Sequence, residues 1–491
     1  MIDTKNSKRN LVIPKWLEFS KASKSLSLSI PRKNPFIISK KTKKKLYNDY
    51  TEFKKFPSAH VATDLMGSAI VIDKIELAKE IAKYVIKCKN LKKPTLDLAY
   101  KILNPNDKNK KVNLELEIQI AEIKKKINKY PKNAIYWIDI GRLYTIKGQW
   151  NQAEKAIVIA LNLSPTDRYI VRCGVRFFLH IKKYDFAWFY LNKATSNSSD
   201  PWLKATELNV SFLVKKKIKN LKRLNTNLIS YDKLFHYSEL IESFGMLEVF
   251  SGNNKKAKNN FKLAWSNPSE NVITHGEWVI RNLFPNLLQS SNLNFEESLE
   301  AQSWRQYFEL NLSKAIQYVK EWELEEPYST NPFLLGSSIA ISADNPIESI
   351  NFINRGLDSN PDDFLLLNNK CFALIKAGKI NDAQKLSNKY PKYLENDNKV
   401  FFLATKGLLE FKKGNINQGR ELYQESIQLC KKNNYTKLYV KAYLNLALAE
   451  AESVTKKSKE TIEIALKLSK NINEPDIFFI RKKIKKLFKK L

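Results

Sequence analysis

The chain has 491 residues, a formal net charge of +34, and a composition that is 43% hydrophobic and 11% aromatic. So much apolar side chain excludes an intrinsically disordered protein, and only 13 glycines argue against β-sandwiches and glycine-rich cofactor loops. Abundant Leu, Ile, Ala, Lys and Glu favour helices, so the composition predicts an all-α fold. The positive charge has two explanations that stay open, an anionic partner or a coding bias toward Lys and Asn.

Residues 1–56 are predicted to form a basic, partly flexible N-terminal arm without repeats. Its lysine run is typical of contacts to phosphates, so the candidate nucleic-acid contacts are Lys40, Lys41, Lys43, Lys44 and Lys45. Apolar side chains at Ile13, Trp16 and Phe36 favour another interpretation, in which part of the arm packs on the helices or on a partner. Because the arm lacks repeat spacing, we expect removal of residues 1–44 to leave melting nearly unchanged.

Residues 57–133 are predicted to be divergent helical repeats. The stretch IELAKEIAKYVIK places Ala78 and Ala82 one turn apart on a single helix face. Small residues in this pattern indicate the second helix of an irregular helix pair.

A regular pattern of large and small residues begins near residue 134. Its members are Trp137, Gly141, Tyr144, Ala153, Ile157, Ala160 and Pro165. Small residues allow two helices to approach closely, while Gly148 ends the first helix and Pro165 cannot continue the second. The pattern therefore predicts two short antiparallel helices that interlock through large and small side chains.

This spacing resembles the tetratricopeptide repeat, with Ile140 and Ile157 replacing the usual Leu and Phe. The clearest repeats are at about 134–167, 238–271 and 400–433, with degraded repeats between and around them. The resemblance implies an α-solenoid of antiparallel helix pairs, with a superhelix over residues 134–433. It also implies a non-enzymatic adaptor or regulatory subunit that binds a segment of a partner protein on its concave face. A separately encoded enzyme would be a suitable partner.

Arginines are rare beside lysines, yet several occupy first-helix positions of neighbouring repeats. Their planar guanidinium groups suit bidentate contacts to carboxylates or phosphates. The candidate partner-binding residues of the concave groove are Arg142, Arg172 and Arg176. The alternative is a solvated basic face, and in either case we expect their joint replacement by Ala to leave the fold intact.

Residues 434–491 are predicted to form C-terminal helices. In the last of them, Ile480, Ile484 and Leu487 fall on one face and Lys or Arg on the other. A terminal helix of this kind caps a repeat array, and the alternatives are contact with a membrane surface or with nucleic acid.

Catalytic motifs were not found in the sequence. It has no phosphate-binding loop, no nucleophile elbow, and no His or Cys spacing typical of metal ligands. The acidic cluster Glu323, Glu325 and Glu326 is interpreted as a solvated helix end. We therefore expect no catalysis, no cofactor and no metal. The competing hypothesis is an RNA- or DNA-binding repeat protein that uses the basic arm and groove.

The expected location is the cytoplasm. Four cysteines stand far apart, no signal peptide is evident, and no apolar run approaches the roughly 18 residues of a membrane span.

Overall fold

The structure is a computed structural model that describes residues 8–17, 19, 40–71, 74–88, 93–103, 108–195, 200–216, 218, 233–290, 293–389 and 396–488. Across these ranges the secondary structure is helical, with no strand. The chain divides into two compact units. The large unit comprises Met1–Leu17 and Lys132–Leu491, and the small unit comprises Glu18–Pro131.

The small unit contains five helices, each packed on the next. They are α1 Lys40–Lys55, α2 Ala59–Val71, α3 Ile75–Val85, α4 Lys93–Leu103 and α5 Lys108–Lys129. Ala78 and Ala82 are both buried in α3, on the face that meets α2.

The large unit begins with helices that alternate in direction. They are α6 Ala134–Ile146, α7 Trp150–Leu163, α8 Arg168–His180, α9 Tyr184–Thr195, α10 Pro201–Val214, α11 Leu234–Phe250, α12 Asn254–Ala264 and α13 Glu270–Asn282. Two 3₁₀ helices, Pro285–Ser290 and Phe295–Glu297, follow α13. This irregular connection stands where the repeat spacing is weakest in the sequence.

The second half of the large unit repeats the same plan. Its helices are α14 Leu299–Phe308, α15 Leu312–Glu325, α16 Asn331–Ser342, α17 Pro346–Ser359, α18 Phe364–Lys376, α19 Ile380–Ser387, α20 Asn396–Lys412, α21 Ile416–Lys432, α22 Thr436–Glu452, α23 Ser458–Ser469 and α24 Pro475–Phe488. Each first helix packs on its own second helix and on the next pair. The predicted all-α solenoid of antiparallel helix pairs is confirmed.

Close approach within the pairs depends on the predicted small residues. A Cβ atom on Gly141 would lie 2.7 Å from Cδ1 of Ile157, and one on Gly245 would lie 2.5 Å from Cε1 of Phe261. Gly148 then turns the chain with a φ of 68°, in the left-handed region that favours glycine. The repeat spacing therefore identifies the contacts that join first and second helices.

The glycine of the second repeat has a different contact. A Cβ atom on Gly174 would lie 2.8 Å from Cδ1 of Leu161, which belongs to the preceding helix pair. The small residue of α8 thus serves the contact between pairs, whereas Gly141 serves the contact within a pair.

The large unit closes on itself after several pairs. Ser359 Oγ donates to the carbonyl of Ile146 (2.6 Å), and Trp150 Nε1 donates to the carbonyl of Ser359 (3.2 Å). The turn between α6 and α7 therefore contacts α17, more than 180 residues later in the chain. Further on, α24 packs against both α16 and α22, with Ile477 and Ile484 buried.

We predict that Gly245→Ala destabilises the large unit by about 1–3 kcal/mol, because Phe261 is fully buried and its ring stacks on Trp265, so it cannot move aside. Thermal unfolding followed by circular dichroism measures this. Gly67→Ala is the matched control, since nothing lies within 4 Å of its new Cβ. The control should be neutral or stabilising by up to about 1 kcal/mol. Equal melting of both variants and the parent would contradict the proposed helix contact.

Candidate functional site

The large unit has two grooves. We call the first the N-terminal groove, which is formed by α6, α8, α10, α13 and α14 together with the turn after α15. It already holds residues 8–17, which we call the inserted segment. Lys8–Asn10 of this segment form a short 3₁₀ helix, and residues 12–17 have no regular secondary structure. The second, the C-terminal groove, lies between α16, α18, α20, α22 and α24.

Side chains of the first helices bind the backbone of the inserted segment. The amide of Val12 donates to Oδ1 of Asn209 (3.1 Å), and the amide of Trp16 donates to the hydroxyl of Tyr328 (3.2 Å). Asn209 is held in place because its Nδ2 donates to the carbonyl of Ala205, one turn earlier (2.8 Å). The groove thus presents a fixed acceptor to an extended backbone.

Two carbonyls of the inserted segment are bound as well. Arg142 Nε donates to the carbonyl of Trp16 (3.2 Å), while its Nη2 donates to the carbonyl of Glu325 (3.1 Å). The hydroxyl of Tyr169 donates to the carbonyl of Leu17 (3.0 Å). Arg142 therefore joins the inserted segment to the end of α15.

Trp16 is the apolar anchor of the inserted segment. Its side chain has no exposed surface. The ring packs edge-on against Phe177 with centroids 6.1 Å apart, and against Tyr328 at 5.5 Å. A fully buried Trp contributes more apolar area than any other residue type, so this contact is a major part of the binding.

Cations of the inserted segment meet glutamates of α13 and α14. Arg9 Nη2 lies 2.9 Å from Glu277 Oε2, and its Nε lies 2.8 Å from Glu300 Oε1. Lys15 pairs with Glu270 and lies 3.5 Å from Glu325 Oε2. Burial works to lower the pKa of Lys15, but the surrounding carboxylates outweigh it and raise that pKa. The N-terminal groove therefore supplies carboxylates to the cations of the inserted segment, although the chain as a whole is basic.

Arg176 and Glu326 form the centre of this charge network. Arg176 Nη2 lies 3.5 Å from Glu326 Oε1, and Glu326 also accepts from Trp322 Nε1 (2.9 Å) and from the hydroxyl of Tyr328 (3.0 Å). Burial alone would raise the pKa of Glu326, but Arg176 and Lys15 outweigh burial and lower it. Glu326 is thus held as a buried carboxylate.

The C-terminal groove encloses a cavity of about 220 Å³. Apolar walls come from Phe372, Phe401 and Ile480, and hydroxyl groups come from Ser338 and Thr405. Its charged residues are already paired, since Lys441 Nζ lies 2.5 Å from Asp476 Oδ2 and Lys483 pairs with Asp344. This groove is therefore neutral overall, in contrast to the N-terminal groove.

Asn445 of the C-terminal groove is held in place by its own helix in the same way as Asn209. Asn445 Nδ2 donates to the carbonyl of Lys441, one turn earlier (2.9 Å), as Asn209 Nδ2 does to Ala205. In the same cavity, Oδ1 of Asn368 is buried without a hydrogen-bond partner, and the residue is only 4% exposed. An unsatisfied buried acceptor costs free energy, so the cavity favours an incoming donor.

Comparisons with known proteins support only a likeness of fold. No family model matches the chain, and no curated protein matches it. Among solved structures, it is similar to the APC/C hetero-tetramer Cut9-Hcn1 at 12% identity, with a TM-score of 0.38 and coverage of 91% of this chain and 88% of that chain. Yeast Tom70 gives 12% identity, a TM-score of 0.26, and coverage of 88% and 96%.

The TPR domain of P58(IPK) is a third similar structure. Its identity is 14%, its TM-score is 0.24, and the match covers 73% of this chain and 99% of that chain. These are weak likenesses, so the fold assignment rests on the helix pairs and glycine contacts described above.

The structure brings Arg142 and Arg176 to the N-terminal groove, whereas Arg172 pairs with Glu239 (2.9 Å) beside it. None of the three is a solvated surface residue, because Arg142 is 4% exposed and the side chains of the other two are 12% exposed. This burial argues against the expectation that their joint replacement leaves the fold intact, and we instead expect the triple change to destabilise the large unit. The side chains of Lys40, Lys41, Lys43, Lys44 and Lys45 lie outside the described residues.

Two further expectations are corrected. The acidic cluster is not a solvated helix end, because Glu326 is buried against Arg176 and Lys15, and Glu323 lies 2.9 Å from Arg355. Residues 8–17 of the arm also pack in the N-terminal groove, so we now expect removal of residues 1–44 to lower the melting temperature. The alternative interpretation, in which Trp16 packs on the helices, is the one observed.

Sequence reasoning missed the residues that bind the backbone and the cations of the inserted segment. Asn209, Glu277 and Glu300 belong to no motif. For two asparagines of the C-terminal groove, the sequence does contain a recurring position. Asn369 and Asn445 each stand the same number of residues before the residue of left-handed backbone conformation that follows their helix.

Within the described ranges, no group of His, Cys, Asp and Glu is arranged to hold a metal ion. Nor does any helix in those ranges have the length and apolar character to cross a membrane.

Removal of the anchor tests the role of the inserted segment. We predict that Trp16→Ala destabilises the large unit by about 3–5 kcal/mol, since it empties a fully buried aromatic site. Tyr47→Ala, also an aromatic change near the N-terminus but 71% exposed, should leave thermal unfolding within about 0.5 kcal/mol of the parent. A parent-like melt for Trp16→Ala would show that the segment does not contribute to stability.

The charge network predicts a pH dependence. Glu326 has a folded pKa below its ordinary 4.5, so the stability it contributes is present above that pH and is lost as pH falls through the folded pKa. Arg176→Met should therefore cost about 3–5 kcal/mol near pH 7, and the difference from the parent should shrink below pH 4.5.

Urea unfolding of parent and variant at several pH values measures this difference. The control is Arg305→Met, which removes the cation of an exposed pair with Glu309 and should change little at any pH. A difference for Arg176→Met that does not vary with pH would refute the role assigned to Glu326.

Proposed function

We propose that this protein is a non-enzymatic adaptor or regulatory subunit, and that it binds an extended segment of a partner protein in the C-terminal groove. The observation that carries this proposal is the inserted segment. The chain uses first-helix side chains to bind an extended backbone, bury an aromatic anchor and pair its cations. An extended protein segment is thus a ligand that this fold accepts.

The C-terminal groove offers the same kinds of contact without the acidic lining. Asn445 is fixed by its own helix, as Asn209 is, and Asn368 supplies a buried acceptor without a partner. Phe372 and Phe401 provide apolar walls for side chains. Because the groove is built on packed helices, little ordering of the protein is needed on binding.

The N-terminal groove is less suitable for a partner because the inserted segment occupies part of it. The cavity of about 240 Å³ that remains is lined by side chains of that segment, among them Arg9 and Lys15. Arg142 is committed to the carbonyls of Trp16 and Glu325, and Arg172 to Glu239. Arg142 therefore binds the chain's own segment, and Arg172 is paired with a glutamate of α11. We propose a cytoplasmic setting, as the cysteine spacing indicates, and a separately encoded enzyme as a suitable partner.

A block of the cavity tests the proposal on the full chain. Random 12-residue peptides displayed on phage are selected on the parent protein, and selected peptides are synthesised and titrated by fluorescence polarisation. We predict that Ser338→Trp, which fills the cavity from a half-buried position, weakens binding at least tenfold, about 1.4 kcal/mol, and leaves melting unchanged.

The matched control is Ser266→Trp, a half-buried serine outside both grooves at the end of α12. It should bind the selected peptides as the parent does. Failure to select any peptide, or equal loss in both variants, would contradict the proposal. Tight binding of a uridine 20-mer with a steep salt dependence, and no peptide binding, would favour the nucleic-acid hypothesis instead.

A further inference from the structure

A lysine-rich cleft continues from the C-terminal groove. The two cavities share Ile341 and Lys483, so they form one continuous surface. The cleft lies at the C-terminal ends of the first helices and is lined by Lys376, Lys412 and Lys486 in addition to Lys483. We call it the lysine cleft.

Positive charge exceeds negative charge in the lysine cleft. Glu452 is shared by two lysines, since its Oε1 lies 3.3 Å from Lys376 Nζ and its Oε2 lies 2.7 Å from Lys412 Nζ. Lys483 pairs with Asp344. The lining of the cleft thus contains four lysines but only two carboxylates, Glu452 and Asp344. The cleft therefore retains the capacity to attract an anion.

The environment of Lys376 agrees with this excess. Burial lowers its pKa, and the like charges of Lys412 and Lys483 act in the same direction, against the attraction of Glu452. A further carboxylate in the cleft would relieve this repulsion between lysines. Because the cleft is partly shielded from water, attraction between opposite charges is stronger there than in bulk water.

We propose that the partner segment has two parts, a neutral stretch that lies in the C-terminal groove and acidic side chains at one end that lie in the lysine cleft. This inference rests on the proposed function. It adds the chemical class of the partner, an acidic-ended protein segment, and assigns the lysine cleft as an interaction surface.

Continuity of the two cavities favours a protein segment over a nucleic acid. The C-terminal groove presents amides and apolar walls beside the cleft, and these suit peptide groups and aliphatic side chains. A nucleic acid would need an extended row of cations for successive phosphates, whereas the lysines here converge on one cleft. The charge requirement is therefore local to one end of the ligand.

The same displayed library provides the test on the full chain. Selected peptides should be enriched in Asp and Glu at one end. A selected peptide is then compared with its copy in which every Asp and Glu is replaced by Asn and Gln, at ionic strengths of about 20 mM and about 500 mM. We expect the acidic form to bind at least tenfold tighter at low ionic strength, with a smaller ratio at high ionic strength.

Lys412→Gln/Lys486→Gln should remove most of this preference and leave binding of the neutral copy unchanged. Lys255→Gln/Lys256→Gln, an equal charge change at exposed positions on α12, is the matched control and should behave as the parent. Thermal melts verify that both double variants are folded.

The outcomes separate the two proposals. If both peptide forms bind the parent equally, or if the lysine cleft variant keeps the preference, the acidic partner class is wrong while the adaptor function stands. If Ser338→Trp does not weaken either peptide form, the proposed function fails as well. If the lysine cleft variant loses affinity for a uridine 20-mer but keeps its affinity for the acidic peptide, the cleft is a nucleic-acid contact and this inference is overturned.

Discussion

Buried carboxylates on the concave face are the constraint on which the large unit depends. Glu277, Glu300 and Glu326 are 6%, 7% and 3% exposed, in a chain whose net charge is +34. An isolated carboxylate in such a place is very unfavourable, and its cost is offset only by a well-placed cation and further hydrogen bonds. Arg9 pairs with the first two, Arg281 also pairs with Glu277, and Arg176 with Lys15 supplies the cation for the third.

Two of these cations come from the inserted segment, so the segment and the superhelix depend on each other. Arg9 pairs at α13 and α14, while Trp16 and Leu17 bind to α6, α8 and the turn after α15. The segment thus joins α13 and α14 to α6 and α8. It links helices that the closure between α6 and α17 also holds together. The first turn of the superhelix is thus fixed by contacts between distant parts of the sequence.

The sequence predicted what depends on neighbouring residues and missed what depends on distant ones. Gly141 and Ala153 lie within one helix pair, so their spacing alone reveals the fold. Asn209 and Val12 are far apart along the chain, as are Arg9 and Glu300, so no local sequence pattern indicates that they are in contact. Glu326 shows the same limit, since its neighbours in sequence indicate a solvated helix end.

The two grooves differ in their charged side chains, and this difference bears on which ligands each groove can bind. A cation that binds a phosphate contributes affinity by releasing the counterions of the nucleic acid, but only if it is not already engaged by a carboxylate of its own protein. Arg172 and Arg176 are engaged in this way by Glu239 and Glu326. This pairing argues against the N-terminal groove as a channel for nucleic acid, and the carboxylates of the groove pair with the cations of the segment that it holds. Among the described residues the C-terminal groove holds no such segment, which is why we propose that groove as the place where another protein binds.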